Sequence, residues 1–174
     1  MIKYFFFLFF FRNQIILMSF KNIDINKITI RKYKNSYLLS NPITIKTPKM
    51  YIPFGVEKYY NNYLLKIQFR NIKENEELKD LEDFFLKLEK KFSELIKDNI
   101  PSSISYSEKY DPLLTIKLPQ QSNKFTCNAY KGTDPLSIFN IEKGNYCNCE
   151  LLIDSIWYFK DKYYYKIKLK NIYI

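Results

Sequence analysis

Residues 74–98 read ENEELKDLEDFFLKLEKKFSELIKD, and this stretch decides the fold. Leu78, Leu81, Phe85, Leu88, Phe92 and Leu95 recur at spacings of three and four, the period of one helix face. Phe84 and Ile96 flank that line and widen it into a core-facing stripe. The spacing predicts a helix over 75–98, ended ahead of Pro101 because a residue preceding proline is driven out of helical geometry. Its polar side is acidic. Residues 71–98 hold 9 carboxylates against 6 lysines, a charge of −3, so with +10 on the whole chain the remainder carries +13. The stripe should pack on a core and leave the acidic side, with Glu82 and Glu89, in solvent.

Away from the helix the apolar period falls to two. Ile28 and Ile30 alternate with Thr29 and Arg31, and Ile43 and Ile45 with Thr44 and Lys46. Leu65, Ile67 and Phe69 alternate with Lys66, Gln68 and Arg70. Strands resume at Leu114, Ile116 and Leu118, then around 125–130, at 146–159 and at 163–173. The short link Lys160-Asp161-Lys162 makes the last two a hairpin. With 174 residues, no internal repeat and no Pro/Gly linker, one domain is expected. The fold class is mainly β: an OB-like antiparallel barrel crossed by one amphipathic helix, spanning 18–174.

Residues 1–17 stand apart as an apolar leader. The run from Tyr4 to Phe11 is unbroken, but Arg12, Asn13 and Gln14 interrupt it, and eight residues are far short of the roughly 20 a membrane span requires. Lys3 gives a basic start, yet no small-residue cleavage site follows. The expectation is that translation starts at Met18; membrane targeting by the leader is the competing reading. No stable membrane association is expected.

Absences narrow the chemistry. With no histidine there is no imidazole base and no Ser/His or Cys/His pair. Gly55, Gly132 and Gly144 are too few for a glycine-rich phosphate cradle. Cys127, Cys147 and Cys149 make no disulfide framework, and a zinc site would need a fourth ligand that the sequence does not supply. Cys147 and Cys149, two apart on a strand, should share a face. No enzyme activity, catalytic residue, metal ligand or cofactor is expected.

Strand parity marks the functional face. If the alternating Ile, Leu and Phe point inward, then Lys46, Lys66, Arg70, Lys117, Lys166, Lys168 and Lys170 point outward. Any sheet with one wet face looks like this. Lysine outnumbers arginine 25 to 3, as an AT-rich coding sequence would give, which weakens the argument from lysine count. What favours a polyanion partner is the scarcity of acid on the same strand faces. Rings are at hand for base stacking. Tyr51, Phe54, Tyr59 and Tyr60 lie near Lys49 and Lys58, while Trp157, Tyr158, Tyr163 and Tyr164 flank the terminal hairpin beside Lys162. Parity at Asp154-Ser155 is open: Trp157 points inward without a bulge and outward with one. The candidate nucleic-acid-binding residues are Lys46, Lys49, Tyr51, Phe54, Lys58, Lys66, Arg70, Trp157, Tyr158, Lys162, Tyr164, Lys166 and Lys168.

Two segments carry a family resemblance. Thr47-Pro48-Lys49-Met50-Tyr51-Ile52-Pro53-Phe54-Gly55 with Tyr63-Leu64-Leu65-Lys66-Ile67-Gln68-Phe69, and Lys143-Gly144 through Leu152 with Ile156-Trp157-Tyr158-Phe159 and Lys162-Tyr163, resemble a protein family of nucleocytoplasmic large DNA viruses. That family is related to phage-type OB-fold single-stranded DNA-binding proteins, and the likeness covers about residues 25–174. The resemblance implies a helix inserted between strands three and four and a non-enzymatic role in viral DNA replication, recombination or repair. It further implies a place in the host cytoplasm (the viral factory) or nucleus, or in the virion. Phage-type members carry an acidic tail for recruiting replication proteins; Lys168 to Ile174 here is basic and strand-like, so recruitment by such a tail is not expected. The expected partner is single-stranded DNA, with RNA, viral replication proteins and a second copy of the chain left open. A virion-assembly protein with a basic interaction face is the alternative.

Overall fold

The computed structural model describes residues 18–174, and the leader expected at 1–17 lies outside them. Before the helix run β1 (Ile30–Tyr33), β2 (Ser36–Lys46), β3 (Met50–Tyr51), β4 (Val56–Tyr59) and β5 (Asn62–Gln68). The helix α1 spans Glu76–Ile96. After it come β6 (Leu113–Leu118), β7 (Asn128–Lys131), β8 (Asp134–Leu136), β9 (Tyr146–Phe159), β10 (Lys162–Tyr165) and β11 (Lys168–Tyr173). All of these strands belong to one sheet, so the protein is mainly β with one α-helix among the described residues.

The pairing path of that sheet returns to its start. β9 pairs β3, β3 pairs β5, β5 pairs β6, β6 meets β11, and β11 pairs β9 again. Four of these contacts are antiparallel and the β6–β11 contact is parallel, so the all-antiparallel arrangement expected from sequence is corrected. The reason is one of parity: direction cannot alternate all the way round a circuit of five strands. The parallel seam is short, with Lys168 opposite Lys117 and the Lys117 amide donating to the Ile167 carbonyl at 2.8 Å.

The longest strand, β9, carries 14 residues and serves four neighbours, β2, β3, β10 and β11, along its length. It does so by bending: its register shifts against β11 between Glu150 and Leu151, and against β2 between Ile153 and Ser155. Inward residues follow the predicted alternation. Ile45, Leu65, Ile67, Phe69, Leu114 and Ile116 are fully buried. Cys147 and Cys149 are also buried on one face, with their sulfurs 3.7 Å apart. Burial pushes the Cys127 thiol up to about 11, which leaves it protonated and unreactive at neutral pH.

Helix α1 begins where predicted. The Asn75 side chain accepts from the Leu78 amide at 3.2 Å, Glu76 and Glu77 occupy the first turn, and Lys97 ends the helix in the left-handed conformation. Leu78, Leu81, Phe84, Phe85, Leu88 and Phe92 are buried, with Phe84 against Phe20 and Phe92 against Tyr165. Leu95 is only half-buried, because the stripe runs off the core in the last turn. One expectation fails here: Glu89 is not in solvent but 7% exposed. It accepts from the Ser103 amide at 2.8 Å, the Ser103 hydroxyl at 2.9 Å and the Tyr165 hydroxyl at 2.8 Å. Those donors come from the segment after the helix and from β10, so they were invisible in a helical wheel.

Candidate nucleic-acid interface

Two hairpins frame a groove of about 910 Å³ on the outer face of the sheet. One is β4–β5, whose tip presents Tyr59 and Tyr60; the other is β9–β10, whose tip carries Phe159 and Lys160. Lys160 and Asp161 both have positive φ, the two-residue turn that matches strand twist. Tyr60, at φ 51 and 81% exposed, is a bulky residue in the left-handed region, a costly conformation for an aromatic. The groove floor combines Leu64, Thr115 and Lys117 with Trp157 and Lys166, and Ser102 and Ser103 form one wall. Leu64 lies opposite Lys117 and Lys66 opposite Thr115, so outward residues of β5 and β6 share this face.

The bulge in β9 settles where Trp157 points. Ile153 and Ile156 are both fully buried although three residues apart, which the register shift between Ile153 and Ser155 permits. Trp157 therefore turns outward into the groove. The Lys166 ammonium sits 4.0 Å from the Trp157 ring centroid, and the Tyr164 and Phe159 rings lie 5.9 and 5.4 Å from it. Partial burial, then the charges of Lys117 and Lys168, hold the Lys166 ammonium below the usual lysine range. An anion placed there would relieve that repulsion.

A second basic and aromatic patch continues the same face. The Arg70 guanidinium lies 4.5 Å over the Tyr51 ring, Tyr51 is 5.3 Å from Tyr146, and Lys49 is 5.4 Å over Tyr146. These residues, with Gln68 and Asn71, line a cavity of about 330 Å³. Between the two patches Lys66 lies 5.6 Å over the exposed Phe54 ring and 3.1 Å from the Glu57 carboxylate.

The thirteen candidates thus fall into groups. Trp157 and Lys166 come together in the groove, Tyr164 lies beside Trp157 on the neighbouring strand, and Lys162 stands opposite Phe159 at the same hairpin. Lys49, Tyr51 and Arg70 gather in the second patch, with Lys66 and Phe54 between. Lys168 is on the outer face but ion-paired with Asp154. Lys46 lies 5.9 Å over Tyr173, near the stacked Tyr130, away from the groove. Tyr158 and Lys58 are on the other face, since neighbours on a strand alternate: Tyr158 packs with Tyr163, and Lys58 lies over Tyr63. Sequence reasoning missed Tyr146, Phe159 and the Ser102-Ser103 wall. The strand period alone could have flagged Phe159 two residues after Trp157; nothing local marked the others.

No protein-family model and no curated protein matches the chain. Among solved structures it is similar to the single-stranded DNA-binding protein of bacteriophage Enc34 with its C-terminus truncated. There the TM-score is 0.51 at 12% identity, covering 85% of this chain and 92% of that one. The untruncated Enc34 protein gives a TM-score of 0.47 at 11% identity, covering 84% and 88%. The same protein in complex with ssDNA gives 0.44 at 14% identity, covering 84% and 94%. The first of these likenesses shows that the chain has the fold of a phage single-stranded DNA-binding protein.

Proposed function

We propose that this chain is a non-enzymatic, sequence-tolerant single-stranded DNA-binding protein built on an OB-like barrel. The closed circuit of β9, β3, β5, β6 and β11 supports the barrel. Counting β2 with them, three of the six strands precede α1 and three follow, which fits a helix between strands three and four. The observation that carries the function is Trp157 turned outward by the β9 bulge, with Lys166 over its ring and Lys117 beside it in an open groove. Such a pairing stacks a base and meets its phosphate without reading base identity. Lys49, Tyr51, Lys66 and Arg70 extend the track. The resemblance to large-DNA-virus proteins supports a role in viral replication, recombination or repair, acting in the viral factory, nucleus or virion.

Trp157 is the chain's one tryptophan, so its fluorescence reports this groove alone. Titration with oligo-dT should quench it, and affinity should fall with salt at a log–log slope of roughly −3 to −4 if four to six phosphates are neutralised. Trp157→Ala, followed by anisotropy of labelled DNA, should cost about 1–3 kcal/mol of binding. Equal or tighter binding to duplex of the same length would overturn the stacking role and favour an assembly protein that uses the same basic face.

A further inference from the structure

Lys168, beside the groove, differs from Lys117 and Lys166 in having a carboxylate of its own. Lys117 and Lys166 have no acidic partner among the described residues, whereas Lys168 is ion-paired with Asp154, both side chains only 27% exposed. Lys168 is the register partner of Lys117 across the parallel seam, and the burial alternation from Tyr165 to Leu169 turns Lys166 and Lys168 to the same side, so the three lysines are neighbours whose charges act on one another. Asp154 lies at the bulge of β9, where the extra residue re-aims its side chain among them, and the Ser155 hydroxyl donates to it at 2.7 Å. An acid in that position is not needed to fill the core, because Ile153 and Ile156 on either side take the inward positions.

The geometry points to a discrete phosphate seat formed by Lys117, Lys166 and Lys168, in which the Asp154 carboxylate stands in for a backbone phosphate until a strand arrives. This rests on the single-stranded DNA reading above and adds a mechanism to it: binding exchanges an internal counter-ion for the phosphodiester. Asp154 then sets affinity from within, holding the groove below its full attraction for polyanions. It also keeps the lysine cluster paired when no strand is bound.

The test uses the full chain, with two probes. Against oligo-dT, Asp154→Asn should bind about fivefold more tightly than wild type, the worth of one displaced ion pair near 1 kcal/mol. Asp83→Asn, the same charge change beside Lys87 on the helix, should shift affinity far less. In wild type, the Asp154 side-chain carboxyl carbon followed by NMR through acid pH should titrate at higher pH once oligo-dT is bound, since the carboxylate loses Lys168 and gains a phosphate neighbour. That measurement holds even if Asp154→Asn fails to fold. Wild-type binding with an unchanged Asp154 titration, or an Asp154→Asn protein that is folded and no tighter, overturns the seat. The second probe, pyrophosphate, separates the two readings. If oligo-dT fails to bind while pyrophosphate perturbs these lysines, and more strongly in Asp154→Asn, the seat stands and the DNA function falls. If neither probe perturbs them, both fall.

Discussion

Glu89 shows how far a single carboxylate departs from the rule its helix suggests. It is buried and receives the Ser103 amide and the hydroxyls of Ser103 and Tyr165, so removing it leaves those donors without their acceptor. Glu89→Ala should cost about 2–3 kcal/mol in urea denaturation, whereas Glu82→Gln, on the partly exposed side, should stay within about 0.5 kcal/mol. Equal effects would mean the network contributes nothing. Lys166 offers a pH test. Burial first, then Lys117 and Lys168, lower its proton affinity, so it loses its charge at lower pH than an ordinary lysine. Affinity for oligo-dT should therefore begin to fall before the usual lysine range as pH rises. Lys166→Arg should remove that early fall, because a guanidinium stays charged. The sign for stability is opposite: between the lowered folded value and the unfolded one the unfolded chain holds more protons, so this group's contribution to stability rises with pH.

At the scale of elements, the β4–β5 hairpin holds Tyr60 at positive φ with its ring in solvent. Tyr60→Gly should raise stability by about 0.5–1 kcal/mol, since glycine has no Cβ to crowd in that conformation. If the ring stacks on a base, the same change should weaken oligo-dT binding; a variant that is both more stable and equally tight would remove Tyr60 from the track. The helix and the strand runs were legible because their period is local: Leu78 to Phe92 at three and four, Leu65 to Phe69 and Leu114 to Leu118 at two. Trp157 was half-legible. Its chemistry stood out, but its direction depended on a bulge that one sequence leaves open. Tyr146 beside Tyr51, Glu89 beneath Ser103 and Asp154 against Lys168 were not legible, since each depends on which distant strand or segment lies alongside. The parallel seam was a deduction waiting to be made, as a five-strand circuit forces one.

The charge is unevenly divided along the chain: residues 71–98 carry −3 and the remainder +13, with Lys66 and Lys117 on one face of β5 and β6 and Lys166 beside them in the groove. Long-range attraction should therefore orient an approaching polyanion, an effect strongest at low salt. The circuit depends on β11, which buries Leu169 and Ile172 and touches both β6 and β9. Removing residues 168–174 should abolish the cooperative thermal transition seen by circular dichroism; a folded truncated chain would show that the circuit is not what holds the sheet. The order of synthesis gives that dependence a timetable. β6 ends at Leu118 and its partner begins at Lys168, 50 residues later along the chain. At roughly 5–20 residues per second, that wait is on the order of 3–10 s. Throughout it the Lys117 end of β6 has an open edge, and Lys166 has not yet been made to cover Trp157. The nascent chain thus completes its sheet and its candidate binding face in one step, when β11 docks against β6 and β9.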